Sequence, residues 1–297
     1  MVQTADVIMP RWRALLALVL GAAGCSPATS GMDRARRDDG VTRPAAMAAS
    51  APRAEEARAV ATAPEDPPGG DGVKPDAPAQ APDPELQAPD PVALRVPADK
   101  TVQVLHGAPG DPGRRVLVYL HGRCGDVHAF RSWASAAMAH GTLVALLGDV
   151  RCKGSTRFRW GDDVRQIHRR ILAAIGAVGA ARGEPLHTAS LTVIGYSEGA
   201  LKAEALVRRY PSIYRRALLI AGPRAPAIDS LEARGAAVIM AGARDRRDHL
   251  REAARVMERS GQLVTYMELP DARHGDYGPE GARVMGEALR WVSDKAP

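Results

Sequence analysis

Apolar and polar positions follow two rhythms along this chain. Short unbroken apolar runs, rich in Val, Ile and Leu, recur near 101–106, 115–120, 142–147, 190–195, 216–221, 236–241 and 263–269. Runs of this length, bounded by Gly, Pro or polar residues, predict strands covered on both faces. Between several of them the apolar residues are spaced three to four apart. In the clearest case, Asp163 to Val178, the residues Ile167, Ile171, Ile175 and Val178 form one stripe, as expected of a helix lying on a sheet. His168 falls one step off that stripe and is expected in solvent. Strands alternating with helices predict the α/β fold class, with a mostly parallel, doubly wound sheet and helices on both faces.

Both rhythms are missing before about residue 99. Residues 26–98 hold 13 of the 23 prolines, much Ala, Asp and Glu, and few large apolar side chains. Such a stretch buries too little surface to offset the entropy of ordering and reads as a linker. Upstream of it, Arg11 and Arg13 precede the apolar run from Ala14 to Gly24, and Met9 offers a second start that gives a compact basic segment. A charged-then-apolar order is that of a secretory signal, and eleven residues are too few to span a bilayer as a helix. The run ends in Ala22-Ala23-Gly24-Cys25, similar to a bacterial lipobox, with Ala22 where leucine is usual. Cleavage before Cys25 and its lipidation are therefore expected, with ordinary signal cleavage as the alternative. The expected organisation is a signal peptide at 1–24, a linker at 25–98 and a folded α/β domain at 99–297. The expected location is the periplasm or cell envelope, by way of a lipid anchor.

Export changes the reading of the other two cysteines. Cys124 and Cys152 each follow the end of a predicted strand, and these strands are expected to be neighbours. In an oxidising compartment they are expected to form a disulfide, leaving Cys25 as the odd cysteine with its own use, with two free, buried thiols as the alternative. The net charge of +6 changes the picture less. Arg outnumbers Lys by 35 to 5 along the whole chain, and no stripe interleaves bases with aromatics, so nucleic acid is not expected as a partner.

The chemistry is concentrated where the run Leu191-Thr192-Val193-Ile194 leads into Gly195-Tyr196-Ser197-Glu198-Gly199, followed by a helical pattern from Ala200 to Val207. A serine on a strand-to-helix turn flanked by glycines is held in a strained conformation that exposes its hydroxyl. Serine needs a base within hydrogen-bond reach, and the base needs a carboxylate to orient it. Asp245 follows the strand pattern ending at Gly242, and His274 follows the one ending at Leu269. Asp248 and His249 compete with them. Asp245 is preferred as closer to its strand end, and His274 because the exit loop of the last strand should carry the base.

The elbow around Ser197 and the order Ser, Asp, His resemble the α/β-hydrolase superfamily, and more narrowly its dienelactone-hydrolase and carboxylesterase members. The resemblance covers about residues 99–297. It implies an oxyanion hole made by the backbone N–H groups of Glu198 and of Arg123, the latter in the loop His121-Gly122-Arg123. It also implies a serine hydrolase that cleaves carboxylic esters through an acyl-enzyme, without a cofactor. A small-molecule or surface-bound ester is the expected substrate; oligomeric state stays open. A serine peptidase on the same triad and a non-catalytic tethered binding domain are the alternatives. Only 13 residues separate Gly222 from Ala236, too few for the cap domain that many relatives carry there, so the site is expected to be open. His121, Cys124, Asp126 and His128 crowd into eight residues, but the oxyanion loop already accounts for His121 and no metal is expected. The Glu198 side chain is expected to reach solvent or an arginine such as Arg123. Phe158 and Trp160 are read either as lining an acyl or leaving-group pocket or as packing.

Overall fold

The apolar runs pair side by side into one sheet in the computed structural model, which describes residues 89–108, 110–227 and 235–296. The expected signal peptide, Cys25 and the linker as far as residue 88 lie outside the described residues. In chain order the elements begin with β1 (Val92–Leu94), β2 (Val102–Leu105), α1 (Asp111–Arg114) and β3 (Val116–Leu120). A 3-10 turn (Ala129–Trp133), α2 (Ala134–His140), β4 (Thr142–Leu146), β5 (Val150–Arg151), β6 (Phe158–Arg159) and α3 (Val164–Arg182) follow. The second half comprises β7 (Thr192–Tyr196), α4 (Glu198–Arg209), β8 (Arg216–Ile220), β9 (Ala236–Gly242), α5 (Asp248–Arg259), β10 (Val264–Leu269) and α6 (Gly281–Lys295).

The sheet runs in the order β1-β2-β4-β3-β7-β8-β9-β10. From β4 to β10 every pairing is parallel, while β2 is antiparallel to β4 and β1 to β2. A parallel sheet covered on both faces needs apolar residues at successive positions, and β3, β4, β7, β8 and β9 are buried at every position. The side chains nonetheless alternate between two cores. Val118, Leu120, Val193, Leu219 and Ile239 pack with residues of α3, α4 and α5. Leu117, Tyr119, Ile194, Tyr196, Leu218, Val238 and Met240 pack with the 3-10 turn, α2 and α6 on the other face. Each aliphatic side chain fully withdrawn from water contributes about 1.5–3 kcal/mol.

The predicted stripe of α3 is buried as expected, through Ile167, Ile171, Ile175 and Val178. Asp163 caps the helix by accepting from the N–H groups of Arg165 and Gln166 at 2.9 and 3.3 Å, and Gly183, at φ 72°, ends it in the left-handed conformation. His168 departs from expectation. It stacks on Tyr210 with ring centroids 4.0 Å apart and places Nδ1 2.8 Å from the Tyr214 hydroxyl, because the segment after α4 folds back over α3. A second difference concerns the boundary at residue 99. Val92–Leu94, set among prolines, pairs with β2 and joins the sheet, so the folded part begins inside the expected linker.

Because β3, β7, β8, β9 and β10 are parallel, their C-terminal ends share one edge, and the loops that leave it carry the residues of chemical interest. Among the described residues no helix is long and apolar enough to cross a membrane.

Candidate active site

At the end of β7 the chain turns sharply into α4, and Ser197 occupies the turn with φ 52° and ψ −113°. A non-glycine residue at such angles carries strain that its surroundings must hold. Ser197 N–H donates to Ile220 O at 2.8 Å, fixing the turn to β8. The flanking glycines are required by space: a Cβ at Gly195 would overlap Gly199 O, and one at Gly199 would overlap Leu120 O. The serine hydroxyl is thereby presented at the edge of the sheet, with the Gly122 backbone beside it; a Cβ built at Gly122 would lie 3.3 Å from Ser197 Cβ.

His274 reaches this hydroxyl from the loop after β10, with Nε2 3.1 Å from Ser197 Oγ. Its Nδ1 lies 2.8 Å from Asp245 Oδ2 in the loop after β9. A carboxylate only accepts, so Nδ1 carries the proton and Nε2 is left to accept from the serine. Asp245 is further held by Arg246 N–H, which donates to its Oδ1 at 2.7 Å. The two loops are stitched together by Ala243 N–H to Leu269 O and Arg244 N–H to Ala272 O, each 2.9 Å. The competing residues are used elsewhere: Asp248 opens α5, and His249 Nε2 donates to Gly222 O at 3.0 Å.

Tyr196 supports the histidine loop from beneath. Its hydroxyl accepts from Gly275 N–H at 2.6 Å, and its ring lies 5.6 Å from the His274 ring and 5.5 Å from that of Tyr277. Burial pushes the Tyr196 phenol up to about 12, so it stays protonated at any working pH. Sequence spacing gave no notice of this contact, since it joins residues 79 apart.

The loop after β3 passes the other side of Ser197. Here His121 is fully buried, donating from Nδ1 to Gly122 O at 2.7 Å and accepting at Nε2 from Gly148 N–H at 3.0 Å. Burial lowers its pKa, which suits a neutral ring with one donor and one acceptor. A tight turn follows, with Gly125 N–H donating to Gly122 O at 2.9 Å, and Cys124 sits at φ 51°. Cys124 is disulfide-bonded to Cys152, with Cα atoms 6.1 Å apart. Glu198 is the first residue of α4, so its N–H belongs to the helix-end donors that have no partner within the helix, at the positive end of the helix dipole. The Gly122 backbone and the start of α4 at Glu198 thus lie next to Ser197 on two separate segments.

The Glu198 side chain corrects one part of that expectation. It does meet Arg123, whose Nε donates to Oε1 at 3.1 Å, but it is buried and not in solvent. Its Oε2 accepts from Trp160 N–H at 3.1 Å. Trp160 is buried, with its indole N–H donating to His121 O at 2.8 Å, so it is packing and not pocket lining. Phe158 carries the Lys100 ammonium 5.0 Å above its ring. Of the four residues considered for a metal, Cys124 is in the disulfide, His121 is engaged with backbone, and Asp126 pairs with His128 at 3.2 Å. Among the described residues no group of three or more His, Cys, Asp or Glu could hold a metal ion.

No protein-family model matches the chain, and no curated protein sequence matches it. Solved structures do resemble it. A carboxylesterase from Mesorhizobium loti superposes with a TM-score of 0.51 at 23% identity, over 68% of this chain and 99% of that one. A Bacillus cereus carboxylesterase gives 0.46 at 20% identity, over 67% of this chain and 95% of that one. At such identities the likeness concerns architecture alone. The parallel sheet, the strand-to-helix elbow at Ser197 and the structural match together establish that this chain has the α/β-hydrolase fold.

Proposed function

We propose that this chain is a serine hydrolase that cleaves carboxylic esters through an acyl-enzyme. The observation that carries the reading is the unbroken hydrogen-bonded line from Asp245 through His274 to Ser197. His274 takes the proton from Ser197 as Oγ attacks the ester carbonyl, and Asp245 holds the imidazole in the tautomer that can accept it. The N–H groups of Arg123 and Glu198 receive the oxyanion, each contributing about 3 kcal/mol to lowering the barrier. His274 then returns its proton to the leaving alkoxide, and water repeats the sequence to release the acid. No cofactor enters this scheme.

The Mesorhizobium loti protein of this fold is a carboxylesterase, and a carboxylic ester is the substrate class we propose on that likeness. The short connection between Gly222 and Ala236 supports an open site, suited to small or surface-bound esters. The proposed location is the cell envelope, through lipid on Cys25, supported by the basic and then apolar start of the chain. A panel of p-nitrophenyl esters of rising acyl length, with a peptide amide as control, tests the function. Turnover of esters that is lost in Ser197→Ala supports it; equal turnover by both proteins refutes it. Cys25→Ser, expressed from the full gene, should move the protein out of the membrane fraction; wild-type protein already free of membranes would refute the anchor alone.

A further inference from the structure

Building on that hydrolase reading, we infer that the Glu198 carboxylate is a positioning group that holds the two halves of the oxyanion hole in register. An acid directly after the nucleophile is at first sight a liability, since a negative charge beside a developing oxyanion raises the barrier. Its surroundings give it a different use. The side chain is 9% exposed, and its two oxygens accept from two separate segments. Oε1 takes the Nε–H of Arg123, the residue whose backbone N–H the hydrolase reading assigns to the hole. Oε2 takes the backbone N–H of Trp160, 38 residues away in sequence. Trp160 closes the circuit by donating its indole N–H to His121 O, in the same β3 loop.

One donor of the hole is therefore the backbone of Glu198, and the other is the backbone of the residue its side chain grips. The two N–H groups belong to separate segments, the loop after β3 and the start of α4, which no covalent bond joins directly, and an oxyanion hole works only if both point at one oxygen position. A displacement of about 1 Å in such a site can lower turnover by about 100-fold. The guanidinium of Arg123 also offsets the carboxylate charge, which removes the liability. Two acceptor oxygens are needed for the two-sided grip, and only a carboxylate supplies both.

The test uses the full-length protein, with kcat and KM on a good ester and affinity for a trifluoromethyl ketone, whose serine adduct carries the oxyanion. Glu198→Ala should lower kcat about 100-fold with KM within about threefold of wild type, and ketone affinity should fall in step with kcat. Glu198→Gln, which keeps one acceptor, should recover part of the loss. Arg123→Ala removes the grip from the other side while keeping the backbone N–H. Its side chain is 71% exposed, so the variant should fold, and kcat should drop about 10-fold. An Arg123→Ala protein whose kcat stays within twofold of wild type overturns the inference, whether or not Glu198→Ala folds. So does a Glu198→Ala protein that loses kcat while keeping full ketone affinity. Wild-type protein without Ser197-dependent turnover removes the hydrolase reading itself, an outcome visible before any Glu198 variant is made.

Discussion

The elbow at Ser197 and the loops that serve it are built in opposite ways. The elbow is compact: five consecutive residues, two of them glycines that admit no side chain, set the serine where β7 meets α4, with Leu120 O and Ile220 O of the adjoining strands as its outside contacts. The serving loops are held from afar. His274 rests on Asp245 across 29 residues and its loop on Tyr196 across 79, while the loop after β3 is tied to Glu198 across 75 and to Cys152 across 28. The pose of the proposed nucleophile is thus set mainly by a five-residue turn and the strand ends beside it, whereas its proposed partners depend on contacts between loops far apart in sequence.

Breaking the partners therefore tests this contrast most strongly. His274→Ala should lower kcat/KM by about 10⁶, as much as loss of the serine, because members of one catalytic unit are not additive. His249→Ala should leave it near wild type, since His249 serves Gly222 O; the reverse pattern would transfer the base to His249. Asp245→Asn should cost about 10⁴ in kcat by favouring the wrong imidazole tautomer.

Smaller losses are expected from the ties. Cys124→Ser removes a cross-link closing a loop of 28 residues, worth about 3–4 kcal/mol in the chain-entropy model, and frees the oxyanion loop next to Arg123. Chemical denaturation should show that loss of stability together with a roughly 10-fold lower kcat. Tyr196→Phe leaves Gly275 N–H without its acceptor, and kcat should fall about 5-fold with little change in KM. An unchanged kcat would show that the histidine loop holds itself.

The smallest effect is on pH-dependent stability. His121, His140, His106 and His168 all have pKa values lowered from 6.5, chiefly by burial. The unfolded chain therefore binds protons first as pH falls below about 6.5, and the folded state loses stability from there down to the folded pKa values. Melting temperature should decline as pH falls below about 6.5, and His121→Asn should soften that decline.

What could be read from the sequence follows the same division. The strands of the central sheet, the α3 stripe and the elbow are all statements about near neighbours, and periodicity and glycine spacing carry them. The placement of Asp245 and His274 near Ser197 is legible because each lies just past a strand pattern, at the edge where a parallel sheet gathers its loops. Val92–Leu94 escaped because three residues among prolines show no period, and the β5–β6 ribbon because two-residue strands show none either. His168 was misplaced because the Tyr210–Tyr214 segment covers a helix face that α3 alone would leave in water. The grip of Glu198 was only half visible: a nearby arginine was a fair guess, but the Trp160 N–H and the burial arise from tertiary contacts alone.

The most direct test is to treat the protein with a fluorophosphonate and map the modified peptide by mass spectrometry. The account predicts one stoichiometric adduct on Ser197 in wild type, none there in Ser197→Ala, and labelling slowed by several orders of magnitude in His274→Ala. An adduct on another serine, or ester turnover that persists while Ser197 remains unmodified, would contradict it.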